Sequence, residues 1–251
     1  MMCAVGHSGR PRHEVRLLHV ADLHLGAPDQ ATDATGHKCS REWRRDIELL
    51  RAIVGFASLR KVDLLVVAGD LLDARWHRRL SRDALIDDLQ RVLAAPLRSI
   101  VALGNHDPDD EGGSLLRQAG VSVLSSIRAE TIILDALHIA VHGRSFRTRF
   151  EHANFAAEYP ERQPNYLNVG VLHTAVRDLR DDPACAPCDL RDLRERQYSY
   201  WALGHEHRQT LVSREPWIIY PGRTHLSAAG NGAGGSLVTI RDGRIAAVEL
   251  F

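Results

Sequence analysis

Five times along the chain, a short apolar run ends abruptly in polar residues able to do chemistry. Residues 15–21 (VRLLHVA) lead into Asp22-Leu23-His24, and residues 62–68 lead into Gly69-Asp70. Residues 99–103 lead into Gly104-Asn105-His106-Asp107, 168–172 into His173, and 200–203 into Gly204-His205-Glu206-His207. Runs of this length predict buried β-strands, and strands that all end in potential ligands predict a site along one edge of a sheet. Between the early runs the period changes to that of a helix. Over 41–61, Trp43, Ile47, Leu50, Val54 and Ala57 form one apolar stripe. Ser81 can cap a second helix carrying Leu85, Leu89 and Val92 that stops before Pro96. A third, short helix is expected over 114–119, ended by Gly120. The later chain is richer in strand. Residues 131–134 and 137–141 predict a hairpin across Asp135-Ala136, and 237–240 with 244–250 another across Asp242-Gly243. Helix–strand alternation followed by hairpins predicts an α/β sandwich of two mixed sheets.

At 251 residues the chain suits one large domain, and no repeat or interdomain linker divides it. Residues 14–251 are read as that domain, with 1–13 a loose polar tail. No apolar run approaches the roughly 18 residues that span a bilayer, and the tail lacks the apolar core of a signal peptide. A cytoplasmic protein, away from membranes, is expected. Its 32 basic and 32 acidic side chains balance, which argues against a life of non-specific DNA binding. Of the four cysteines, only Cys185 and Cys188 form a C-x-x-C pair, flanked by Pro183 and Pro187. Without a second pair to complete a zinc site, they read as reduced residues on a surface loop.

The seven residues Asp22, His24, Asp70, Asn105, His173, His205 and His207 carry the chemistry. Carboxylate oxygen, neutral imidazole and an amide carbonyl are ligands for Mn, Fe or Zn. Singly, each has an ordinary alternative: an Asp at a strand end caps the next helix, and a lone His packs in a core. Seven such residues, each directly after an apolar strand, point instead to a shared metal site. On an extended chain, residues i and i+2 point the same way, so Asp22 and His24, or His205 and His207, can share one metal or straddle two.

In order and spacing, DLHLG at 22–26, GDLLD at 69–73, GNHD at 104–107, the His of VLHT at 171–174 and GHEH at 204–207 resemble the signature of the calcineurin-like metallophosphoesterase superfamily. The resemblance implies a four-layer α-β-β-α sandwich. It implies two divalent metal ions, with manganese first in order and iron or zinc as alternatives. It places Asp22, His24, Asp70 and His207 on one metal and Asp70, Asn105, His173 and His205 on the other, with Asp70 bridging. A hydroxide between the cations would attack phosphorus, while His106 protonates the leaving oxygen and Asp73 orients His106. Asp73 alone could equally be a helix N-cap, and Asp107 is expected to trim its loop by hydrogen bonding.

The segment Tyr220-Pro221-Gly222, followed by Arg223-Thr224, is similar to one in the DNA-repair exonuclease branch, the SbcD-like proteins. That similarity implies a phosphodiesterase of exonuclease-like type acting on single-stranded DNA or nucleotides. A phosphomonoesterase, a small-molecule nucleotide diesterase and a non-catalytic scaffold are the alternatives. The chain ends at Phe251, so the capping domain and the segment that binds an SbcC-like ATPase partner are expected to be missing or on another polypeptide. Arg75, Arg78 and Arg79, with Trp76 and His77, form a candidate phosphate-binding rim, to which Arg144, Arg147 and Arg149 could contribute. His138, His142, His152 and His225 match no motif and read as structural.

Overall fold

Four strands, β1 (Glu14–Val20), β2 (Leu64–Ala68), β3 (Arg98–Ala102) and β4 (Ser122–Val123), pair in parallel in that order. Parallel neighbours cannot be joined by a tight turn, so each needs a crossover. These are supplied by α1 (Cys39–Leu59), α2 (Arg82–Leu93) and α3 (Ser114–Gln118). The computed structural model describes residues 14–27, 39–73, 82–93, 97–179, 182–226 and 232–251. The 1–13 tail, Ser81 and Pro96 lie outside the described residues, as do Arg75, Trp76, His77, Arg78 and Arg79 and the side chain of Trp43.

The second sheet is built from β5 (Glu130–Leu134), β6 (Ile139–Gly143), β7 (Leu167–His173), β8 (Tyr200–Gly204), β9 (Thr210–Arg214) and β10 (Trp217–Tyr220). Its order is β5-β6-β7-β8-β10-β9. The chain then returns through a small ladder, β11 (His225–Leu226) with β12 (Gly232–Ala233), to the first sheet. There β13 (Ser236–Arg241) pairs antiparallel with β1, and β14 (Arg244–Leu250) closes the edge. Both sheets are therefore mixed, as expected.

Period-two alternation divides the core. Leu18, Val20, Leu65, Val67 and Val101 face one way and pack under Ile47, Leu50, Ile53, Leu85, Leu89 and Leu115 of the helices. Leu17, Leu64, Val66, Ile100 and Ala102 face the other way, against Val141, Val169, Val171 and Ala202 of the second sheet. Strands buried on both faces carry no polar alternation, which is why they read as continuous apolar runs. At roughly 1.5–3 kcal/mol for each fully buried aliphatic side chain, this double burial is a large favourable term. The outer face of the second sheet (Leu172, Trp201, Leu203, Ile218) is covered by Phe146, Phe155, Tyr159, Leu193 and Tyr198. This fourth layer is thin, made of loops, a 3-10 turn over Ala156–Glu158 and the short helix α4 (Leu190–Glu195).

Local departures from the sequence reading have identifiable causes. The first hairpin turns through Asp135–Leu137 and a left-handed His138 (φ 52°), so the loop is longer than the two residues expected. The second turns at Asp242 (φ 51°) and Gly243 (φ 74°) as its Asp-Gly signal requires. Strand β9 has little apolar signal in the sequence because it lies half-buried at a sheet edge. Among the described residues, no helix is long and apolar enough to cross a membrane.

Candidate metal centre

All five polar clusters arrive at one place, because β1, β2, β3, β7 and β8 end on the same side of their two facing sheets. The backbone makes unusual turns to deliver them. Asp22 (φ 56°), His24 (φ 49°), Asp70 (φ 53°) and His205 (φ 100°) all lie in the left-handed region, where a side chain costs on the order of 1–3 kcal/mol. Extended chain would align Asp22 and His24 at i and i+2. Instead, two left-handed residues aim them, and pairings across strands hold the turn: Asp22 N donates to Gly69 O (3.1 Å) and His24 N to Asp70 O (2.9 Å).

The donors form two overlapping groups. Asp22, His24 and His207 place ligand atoms within 4.8 Å of one another, and so do Asp22, Asp70 and His173. His24 Nε2 and His207 Nε2 converge at 3.2 Å, and His207 Nε2 is 4.0 Å from Asp22 Oδ1. On the other side, His173 Nε2 is 3.0 Å from Asn105 Oδ1. Asp70 Oδ2 stands between the groups, 3.8 Å from His24 Nε2 and 3.5 Å from His173 Nε2. His205 joins the second side, clustering with His173 and with a residue the motifs did not mark, Cys185.

Burial makes this arrangement costly without a cation. Asp22 and Asp70 are 0% and 2% exposed, and among the described residues no Arg or Lys pairs with either. Burial, then the charge of Asp70, raises the pKa of Asp22. Burial likewise pushes Asp70 up to about 6. Burial, reinforced by His106 and His207, depresses His24 to about 2, and burial lowers His173 to about 3. Neutral imidazoles around buried carboxylates that pair with no described Arg or Lys are a donor set that fits divalent cations.

His106 stands beside this group. Its backbone N donates to Asp70 Oδ1 (2.9 Å), and its Nδ1 lies 3.2 Å from Asp73 Oδ2. That hydrogen bond, ahead of the opposing burial, raises the pKa of His106. Asp107 accepts four backbone N–H groups, from Gly104, Asp70, Leu71 and Leu72, and so knits the GDLLD and GNHD turns together. The Tyr-Pro-Gly segment braces the centre from behind. Tyr220 Oη donates to Thr174 O (2.9 Å), Arg223 N to His207 O (3.0 Å), and Thr224 N to Ala21 O (3.1 Å).

The glycines at the strand ends do different jobs. Only Gly69 has positive φ (92°); Gly104 and Gly204 are needed for space. A Cβ at Gly204 would drive into the Ala68 carbonyl oxygen and crowd the His173 ring. Gly204→Ala should therefore destabilise the fold at the upper end of about 1–3 kcal/mol. Gly55→Ala, in α1 with nothing within 4 Å, should stabilise it by about 0.5–1 kcal/mol. Urea midpoints of the two variants test the contrast, and equal shifts would refute the packing role.

Other sequence expectations need correction or placement. Cys185 and Cys188 are buried, 2% and 0% exposed, because the 182–188 loop folds under the aromatic layer. Burial pushes the Cys188 thiol up to about 12. Arg144 pairs with Glu158 and lies over the Phe155 ring, so it serves packing. Arg149 is exposed, acts electrostatically on both Asp70 and His106, and lies 5.7 Å from the ring of exposed Phe150. His142 stacks on Tyr198 and bonds Asn168, while His152 and His225 bond the carbonyls of Pro183 and Arg223.

The family profile of calcineurin-like phosphoesterases matches residues 15–209. An uncharacterized metallophosphoesterase of Bacillus subtilis (strain 168), YhaO, is 29% identical over 242 residues, covering 92% of this chain and 59% of its own. The DNA double-strand break repair protein Mre11 of Methanopyrus kandleri is 26% identical over 235 residues, covering 83% of this chain and 48% of its own. The chain thus spans about half to three-fifths of the length of these relatives. A solved dimetal phosphatase from Danio rerio superposes with a TM-score of 0.57 at 16% identity, over 92% of this chain and 96% of that one. At that identity the likeness is one of fold.

Proposed function

Because the chain belongs to the calcineurin-like phosphoesterase family, whose members hydrolyse phosphoester bonds with divalent metals, we propose that it is a phosphodiesterase of exonuclease-like type. The observation that carries the reading is the position of Asp70 Oδ2 between two donor groups, with His106 and Asp73 alongside. Asp22, His24, Asp70 and His207 would hold one cation, and Asp70, Asn105, His173 and His205 the other. When bound, the pair supplies Lewis acidity and lowers the pKa of an attacking water.

The side chains then have separable tasks. Asp73 accepts the Nδ1 proton of His106, which fixes the ring and leaves Nε2 to protonate the leaving oxygen as the P–O ester bond breaks. Arg149 pairs with a non-bridging phosphoryl oxygen. Phe150 offers an exposed ring on which a base can stack.

Preference for diesters, and for nucleotide substrates, draws support from three features. They are the Tyr-Pro-Gly brace, the similarity to a protein named for double-strand break repair, and the Arg149–Phe150 pair. A panel of an aryl monoester, an aryl diester, cyclic nucleotides and single-stranded DNA, supplemented in turn with manganese, zinc and ferrous iron, tests it. Diesters should turn over fastest. Phe150→Ala should raise KM for DNA about tenfold, the size of one lost stacking contact of about 1–3 kcal/mol, with a smaller change for the aryl diester. Monoesters cleaved far faster than diesters would replace this reading with a phosphomonoesterase, and no turnover with any metal would leave a scaffold.

A further inference from the structure

The second donor group contains an atom that nitrogen- and oxygen-based phosphoester chemistry does not require. Cys185 Sγ lies within 4.8 Å of ring nitrogens of both His173 and His205. It is also 4.0 Å from Asn105 Oδ1, and the residue is 2% exposed. Three separate stretches of chain thus bring two imidazoles and a thiol to one point.

The loop that carries this thiol is tied down. Ala175 N donates to Cys185 O (2.9 Å), and Cys185 forms an isolated β-bridge with Glu151. Cys188 bridges Val176 and donates its N–H to Ala175 O (3.2 Å). The C-x-x-C segment therefore runs as a rail beside the residues that follow His173, and its position is set by the same strand that positions His173. The two thiols have different surroundings. Cys188 Sγ meets the Thr174 hydroxyl at 3.4 Å, whereas Cys185 faces the imidazoles. From the same loop, Asp182 Oδ2 lies 3.3 Å from His205 Nε2.

We propose that Cys185 is a thiolate ligand of the cation held by Asp70, Asn105, His173 and His205, and that it makes this position selective for zinc or ferrous iron over manganese. The proposal rests on reading the cluster as a two-cation centre. A soft sulfur donor favours zinc and iron, while manganese is served by carboxylate, carbonyl and water. Coordination replaces the S–H bond with a sulfur–metal bond, and the proton leaves to solvent.

The test uses the full chain, stripped with a chelator and reloaded with cobalt(II). Elemental analysis should find two cobalt ions per chain, and the spectrum should carry the intense near-ultraviolet band of thiolate-to-cobalt charge transfer. Cys185→Ser should abolish that band and Cys188→Ser should keep it. In equilibrium competition, Cys185→Ser should weaken zinc binding at one site by about tenfold or more, since even an outer-shell partner is worth about 10–100-fold. Manganese binding should change little. Should Cys185→Ser fail to fold, the combined variant Cys3→Ser, Cys39→Ser and Cys188→Ser leaves Cys185 as the only thiol. Persistence of the band there supports ligation, and its loss overturns it. Two cobalt ions without the band refute the thiolate ligand and leave the two-cation reading standing; no bound cobalt removes both.

Discussion

Asp70→Asn should lower bound metal below one ion per chain and reduce phosphoester turnover by about 10³-fold or more. The size follows from position. Asp70 Oδ2 lies between His24 Nε2 and His173 Nε2, so this one carboxylate serves both donor groups. Metal ions are worth several kcal/mol of transition-state stabilisation, and each 1.36 kcal/mol is about a factor of ten in rate. Asparagine keeps an oxygen to accept the His106 N–H, so the variant should still fold. In metal-free protein it should even raise the urea midpoint, because it removes a buried carboxylate that repels Asp22 and pairs with no described Arg or Lys. Elemental analysis beside a denaturation curve checks both halves. Two full equivalents of metal in the variant would sink the bridging assignment.

His106→Ala should have the opposite signature: metal content unchanged and turnover down by about 10²-fold or more, the usual size of a general-acid effect. His106 donates its backbone N–H to Asp70, which alanine retains; its ring bonds Asp73 and packs edge-on against His24 at 4.6 Å between centroids without bonding it. Loss of the ring removes a proton donor and leaves the ligand cage in place. The defect should shrink as the leaving group becomes more acidic, because a stable phenolate needs no proton. Asp73→Asn should give a smaller loss with the same dependence on leaving group. A loss of equal size for good and poor leaving groups would assign His106 to positioning.

Much of this was legible along the chain because each candidate ligand directly follows an apolar strand. Those strands are buried on both faces, so the hydrophobic pattern marks them strongly and the polar residue at each end stands out. Cys185 escaped as a candidate ligand for the converse reason. It lies in irregular chain, where nothing periodic marks it, and the adjacent prolines make the cysteine pair look like an exposed loop. Only the packing of residues 182–188 beside the end of β7 and against the aromatic layer buries that pair and turns one thiol toward His173. The backbone at Asp22 and His24 was also unreadable, because its left-handed turns are imposed by hydrogen bonds to Gly69 and Asp70, more than forty residues away.

Taken alone, the sequence determined the strand ends, the helical crossovers, the family resemblance and the candidate N/O donors. These depend on local periodicity and on residue types at short spacing, which a linear chain carries in full. The tertiary structure decided which donors share a point, that Asp70 Oδ2 stands between the two groups, and that Cys185 rather than Cys188 faces the imidazoles. It also showed that Gly104 and Gly204 are needed for clearance. Each of these is a distance between stretches tens to nearly two hundred residues apart. Such distances are set by how two sheets pack, and no local pattern encodes them.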